Sequence, residues 1–256
     1  MLLRWGLRMS LGNKIAVITG AASGFGEAIA RRFVAEGARV VIVDLNEEAG
    51  NRVAEDLGDK AIFHKADVSS ADDVEAMIWA AEREWGGVDI LVNNAGFTHR
   101  NKPVTEVSEA EFDRIFAVNV KAIYLGANAV IPRFRARGGG VILNVASTAG
   151  VRPRPNLAVY NASKGAAITL TKSLAVELAP DKIRVVALNP VAGETGMLHL
   201  FMGEDTPEKR AQFQASVPLG RLSQPVDIAN AALFLCSSEA EFLTGVALEV
   251  DGGRCI

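Results

Sequence analysis

Cysteine, histidine and long apolar runs are all scarce in these 256 residues, and each scarcity removes a class of protein. The two cysteines, Cys236 and Cys255, form no Cys-x-x-Cys pair and no zinc spacing, so neither a disulfide framework nor a structural metal is expected. A reduced, cytoplasmic setting follows. His64, His99 and His199 are scattered, and no metal site is expected from them. The apolar runs fall far short of the ~18 residues that suggest a membrane span. A net charge of −3, with both signs mixed along the chain, leaves no basic stripe and argues against nucleic acid as a partner. Met1 to Met9 carries Arg4 and Arg8 but no apolar core, so it does not read as a signal peptide. Met9 is the more natural start, and residues 1–12 are expected to be an N-terminal extension.

What is present is apolar material, 49% of the chain, enough for one large core. Lys14 to Thr19 is a continuous apolar run, as suits a strand buried on both faces. Gly20-Ala-Ala-Ser23-Gly24-Phe25-Gly26 follows at once, and then Ile29, Ala30, Phe33 and Val34 fall at helical spacing. Strand, glycine turn and helix in that order make a phosphate site. Glycines let the backbone approach a pyrophosphate, and the helix N-terminus offers free N–H groups. A second strand, Arg39 to Asp44, ends on an acid about 20 residues past the glycines. Asp44 there can accept bonds from ribose hydroxyls and repel a 2′-phosphate, which favours NAD over NADP, or it can cap the next helix. Asp67 ends a third strand, where it can bond an adenine amino group or simply form a turn.

The alternation continues, with a helix over Ala71 to Trp85, a strand over Val88 to Val92 and a long helix over Ser108 to Pro132. A further strand runs from Val141 to Val145, a helix from Leu157 to Leu178 and a strand from Lys182 to Leu188. The reading is a single α/β domain over 13–256, a doubly wound parallel sheet in the order 3-2-1-4-5-6-7. The polar loop from Phe97 to Val104, with His99, lies at a strand's C-terminal end, where such sheets bind ligands. The stretch 191–217, with Met197, is long enough to cover a pocket.

Tyr160 and Lys164 stand four apart on the long Leu157–Leu178 helix, and so share one face. A neighbouring ammonium favours a phenolate. Bringing a tyrosine from about 10 to about 7 needs roughly 4 kcal/mol, which the lysine would supply in part. Such a phenol exchanges a proton with an alcohol or carbonyl near neutral pH. Ser147, thirteen residues upstream, is placed to hold the same substrate oxygen. Asn119, amid apolar residues in mid-helix, either loosens the helix and holds a water or is a satisfied core amide. Arg152 and Arg154, between the serine and the tyrosine, either meet an anionic substrate group or face water.

Together these residues resemble the short-chain dehydrogenase/reductase family over Asn13 to Gly253. The resemblance rests on Thr19-Gly20-x-x-x-Gly24-x-Gly26, Asp67, Asn93-Asn94-Ala95-Gly96, Asn119, Ser147 and Tyr160-x-x-x-Lys164. It implies that Tyr160 is the general acid/base, that Lys164 lowers its pKa and holds the nicotinamide ribose, and that Ser147 orients the substrate. It implies too that Asn119 anchors a proton-relay water. It extends the cofactor contacts to Ser23, Phe25, Val68, Asn94, Ala95, Gly96, Pro190 and Thr195. An NAD-linked alcohol/carbonyl oxidoreductase follows, with a homotetramer as the family's usual assembly. One departure is Val191, where the family has glycine after Pro190; a different course of the following loop is expected from it. The segments 98–103 and 150–153 are also similar to an aryl-alcohol branch that oxidises sulfobenzyl alcohol. Alternatives are an NADPH-dependent 3-oxoacyl-thioester reductase and a dinucleotide-binding regulator without turnover. His99, Arg152, Arg154 and Met197 are the candidate substrate contacts.

Overall fold

In this computed structural model, residues 10–204 and 206–256 are described; of the extension expected over residues 1–12, residues 1–9 lie outside them. Seven parallel strands form one sheet: β1 (Ile15–Thr19), β2 (Arg39–Asp44), β3 (Ala61–Lys65), β4 (Ile90–Asn93), β5 (Gly140–Val145), β6 (Ile183–Pro190) and β7 (Ala247–Val250). They lie in the order β3-β2-β1-β4-β5-β6-β7. The chain turns back between β1 and β4, and a crevice opens beyond their C-terminal ends.

The unbroken apolar runs are explained by helices on both faces. Alternate residues such as Ile18, Ile42 and Val92 pack toward α1 (Gly24–Ala35) and α9 (Pro225–Cys236), through Phe33 and Ile228. The residues between them, such as Val17, Val41 and Leu91, meet α3 (Ala71–Trp85), α5 (Ala122–Arg137) and α6 (Ala158–Leu178), through Met77, Val130 and Leu178. Full burial of each such side chain contributes about 1.5–3 kcal/mol. Leu11 is also in this core, 1% exposed, so the domain takes in residues ahead of position 13.

The helix expected over Ser108 to Pro132 is one continuous stretch with a defect inside it. Ser108 and Glu111 form a reciprocal cap ahead of α4 (Glu109–Phe116), and a π-helical segment, Ala117–Lys121, leads into α5. The helix passes Pro132 and ends at Gly138, whose φ of +82° suits glycine. Proline removes one donor but does not stop this helix. The stretch Glu109–Arg137 is long and apolar enough to cross a membrane by composition, yet half of its apolar window is buried inside the protein. Three further helices are α2 (Glu47–Leu57), α7 (Leu198–Met202) and α8 (Pro207–Ala215).

Candidate active site

Thr19 joins the two strands that flank the crevice. Its Oγ1 accepts from the backbone N–H groups of Asn94 and Ala95, each at 3.0 Å. The Asn94 amide in turn donates to the Thr19 and Gly20 carbonyls at 2.8 and 3.1 Å. Gly26 packs against this junction: a Cβ there would stand 2.2 Å from the Gly20 carbonyl oxygen and 2.5 Å from Asn94 Nδ2. Ser23 begins α1 without capping it through its side chain, which leaves first-turn N–H groups for a ligand. Asp44 accepts from Ala22 N at 3.1 Å and Asn46 N at 3.0 Å, with lone pairs to spare.

A cavity of about 420 Å³ runs from this turn to α6. Gly20, Ser23, Gly24, Phe25, Asp44, Asp67, Val68, Asn94, Ala95, Gly96, Ser147, Tyr160, Lys164, Pro190, Thr195 and Met197 all line it. Gly26 does not; it serves the turn from behind. Asp67 bonds Ser69 through Oδ1 at 2.7 Å and pairs with Arg114 at 3.2 Å. Burial opposes its ionisation, but Ser69 and Arg114 together hold the carboxyl below its usual range. Arg114, from an exposed face of α4, was not foreseeable from its local pattern.

α6 is held in place by a buried polar chain. Asn93 Nδ2 donates to Asn144 Oδ1, and Asn144 Nδ2 donates to Thr171 Oγ1, both at 2.9 Å. This sets Tyr160 and Lys164 against the end of β5. Lys164 Nζ donates to the Val145 carbonyl at 2.8 Å and lies 5.9 Å from the Tyr160 ring centroid. Burial lowers Lys164 to about 8. It also raises Tyr160 to about 12, against the pull of Ser147 and the Arg154 guanidinium. Lys164 itself is not among the groups that draw the phenol down in this cavity. Desolvation dominates, and the cation acting on the phenol is Arg154.

Asn119 is 2% exposed and off the cavity wall. Its amide donates to Phe97 O and Ser163 Oγ at 2.9 Å, and Oδ1 accepts from Phe97 N at 2.8 Å. Both readings of this residue hold in part: the amide is satisfied, and the helix around it is loosened. A Cβ on Gly96 would lie 3.6 Å from both Asn119 Oδ1 and Lys164 Nζ, so glycine keeps that space open.

Two expected substrate contacts lie elsewhere. His99 is 2% exposed and bonds the Arg100 carbonyl through Nδ1 at 2.8 Å, away from the cavity. Arg152 is exposed and donates to the Arg254 carbonyl at 2.7 Å, so it holds the C-terminal segment. The polar loop spends its side chains on the lid: Arg100 donates to the Gly203 carbonyl and Asn101 to that of Phe201. This places the Phe201 ring 5.2 Å from Tyr160. Val191 is buried with no positive φ, so the valine is accommodated without strain, and Thr195 reaches the cavity beyond it.

A glycine cradle at a free helix start, an acid at the next strand's end and an open space above Lys164 fit a nicotinamide dinucleotide. The fold and site define a dinucleotide-dependent oxidoreductase. Residues 20–254 match a family model described as enoyl-(acyl carrier protein) reductase. The chain is 51% identical over 252 residues to a 4-formylbenzenesulfonate dehydrogenase of Comamonas testosteroni, covering 97% of this chain and 100% of that one. It is 40% identical to a 2-(R)-hydroxypropyl-CoM dehydrogenase of Xanthobacter autotrophicus, with 94% and 98% covered. A crystal structure of a 3-ketoacyl-(acyl-carrier-protein) reductase from Brucella melitensis, complexed with NADH, superposes with a TM-score of 0.92 at 54% identity, covering 96% and 100%. The chain belongs to the short-chain dehydrogenase/reductase family, whose members bind a nicotinamide dinucleotide.

Proposed function

We propose that this protein transfers a hydride between NAD(H) and an alcohol or carbonyl substrate, with Tyr160 as general acid/base. The observation that carries the reading is the convergence of Ser147, Tyr160 and Lys164 on one cavity continuous with the glycine turn and Asp44. The glycine turn, the α1 N-terminus, Asp44, Asp67, Gly96, Lys164 and Thr195 hold the cofactor, which supplies the hydride acceptor or donor. Ser147 holds the substrate oxygen. In oxidation, Tyr160 accepts the hydroxyl proton; in reduction it gives that proton to the carbonyl oxygen. Asp44 favours NAD by accepting from ribose hydroxyls and repelling a 2′-phosphate. The named activity of the Comamonas relative supports an aryl substrate.

Two further features bear on setting and assembly. Both cysteines are free, as fits a reducing cytoplasm. Tyr124 and Val176, 58% and 80% exposed on the long helices, support a homotetramer.

Tyr160→Phe is expected to lower kcat by roughly 10²–10⁴ while NADH still binds. Full turnover by that variant would refute the assignment. Fluorescence titration should give tighter NADH than NADPH binding. The Brucella structure's name favours a second reading, a 3-oxoacyl-thioester reductase, which acetoacetyl thioester turnover with NADPH would establish instead.

A further inference from the structure

Arg154 is a guanidinium on the cavity wall with no carboxylate partner among the described residues. Its guanidinium lies over the Phe213 ring, 4.8 Å from the centroid, and shares the wall with Tyr160, Met197, Phe97 and Phe201. The C-terminal segment that carries a second arginine, Arg254, docks on the same loop through Arg152. The Asp251 carboxylate accepts from the backbone N–H groups of Gly253 and Cys255 at 2.9 and 2.8 Å, and Arg152 holds the Arg254 carbonyl. Asp251 thus shapes the turn that carries Arg254. Neither Arg154 nor Arg254 has a carboxylate partner among the described residues, and Arg254 Nε is buried without a hydrogen bond. Burial, then the charge of Arg254, pushes the Arg154 guanidinium below its ordinary value. Two like charges held together without a counter-charge are costly, and an anion removes the cost.

We propose that Arg154, backed by Arg254, is the anion-binding subsite of the substrate pocket, and that the substrate is an aromatic alcohol or aldehyde carrying a sulfonate or carboxylate. The aromatic and methionine wall takes the ring, and the guanidinium takes the anionic substituent. Arg152 is a positioning residue that acts through the C-terminal segment. The inference rests on the hydride-transfer reading. In oxidation the alcohol C–H hydride goes to NAD⁺ and the O–H proton to Tyr160, which yields the aldehyde and NADH.

The test compares 4-(hydroxymethyl)benzenesulfonate, 4-(hydroxymethyl)benzoate and benzyl alcohol with NAD⁺ in the full-length protein, Arg154→Gln, Arg154→Lys and Arg254→Gln. The readout is the ratio of kcat/KM for each anionic substrate to that for benzyl alcohol within one variant, which cancels any general effect of the substitution on Tyr160. The anionic substrates should be favoured roughly tenfold or more. That preference should vanish in Arg154→Gln, persist in part in Arg154→Lys, and shrink in Arg254→Gln. A sulfonate ratio above the carboxylate ratio identifies a sulfonated substrate, and the reverse a carboxylated one. An unchanged ratio in Arg154→Gln, or no preference in the wild type, overturns the proposal. Calorimetric binding of benzenesulfonate to the wild type and Arg154→Gln reads the subsite without turnover. Absence of all turnover with that binding intact would sink the hydride-transfer reading and leave the anion site standing.

Discussion

Replacing Lys164 by methionine is expected to stabilise the cofactor-free protein while removing its activity. Lys164 is 5% exposed, and burial brings its ammonium from 10.5 down to about 8. That shift corresponds to about 3 kcal/mol of unfavourable free energy for carrying the charge inside the fold at neutral pH. Methionine fills a similar volume without the charge, but loses the 2.8 Å bond to the Val145 carbonyl, which contributes about 1–2 kcal/mol. The net gain is about 1–2 kcal/mol near pH 7, a rise in Tm of roughly 2–8 °C. The sign reverses with pH. Because the folded value lies below the unfolded one, the unfolded chain binds more protons between the two. Wild-type stability therefore climbs as pH rises from about 8 toward 10.5, and the variant lacks that climb. Thermal unfolding by circular dichroism, without cofactor, should show the variant ahead at neutral pH and the two curves converging or crossing in alkali. A wild-type/variant difference independent of pH would falsify the claim that this ammonium is desolvated. NAD-linked turnover by the variant should be lost at every pH.

Three further outcomes follow from the same geometry. With Tyr160 raised to about 12, the phenol is the resting form, so alcohol oxidation should accelerate from neutral to alkaline pH while carbonyl reduction should not; a flat oxidation profile would contradict the assigned base. Gly26→Ala puts a methyl group 2.2 Å from the Gly20 carbonyl oxygen, and should cost about 1–3 kcal/mol of stability and weaken NADH binding, as read by denaturant melts and fluorescence titration. Asp44→Ala removes the acceptor for Ala22 N and Asn46 N and should narrow any NADH/NADPH preference; an unaltered preference would relocate cofactor selection.

The site was legible in part because its chemistry depends on short-range spacing. Tyr160 and Lys164 share a face by helical geometry alone, and a glycine turn between a strand and a helix has few other uses. Where the residues around them point was not legible. Arg152 and Arg154 sit two apart on one loop, yet one binds the C-terminal backbone and the other lines the cavity. No local pattern separates them, because the deciding partners, Arg254 and Phe213, are far away in sequence.

Buried apolar runs and turn glycines were enough to determine the doubly wound sheet and its strand order, and the Tyr160/Lys164 interval raised the expectation of proton transfer. These depend on periodicity and backbone freedom, which neighbours along the chain express. Tertiary structure alone decided that Lys164 spends its ammonium on Val145, that Tyr160 is buried, and that Arg154 lines the cavity while Arg152 does not. Desolvation and charge pairing are set by what surrounds a group in three dimensions, and the linear order of residues carries no measure of that.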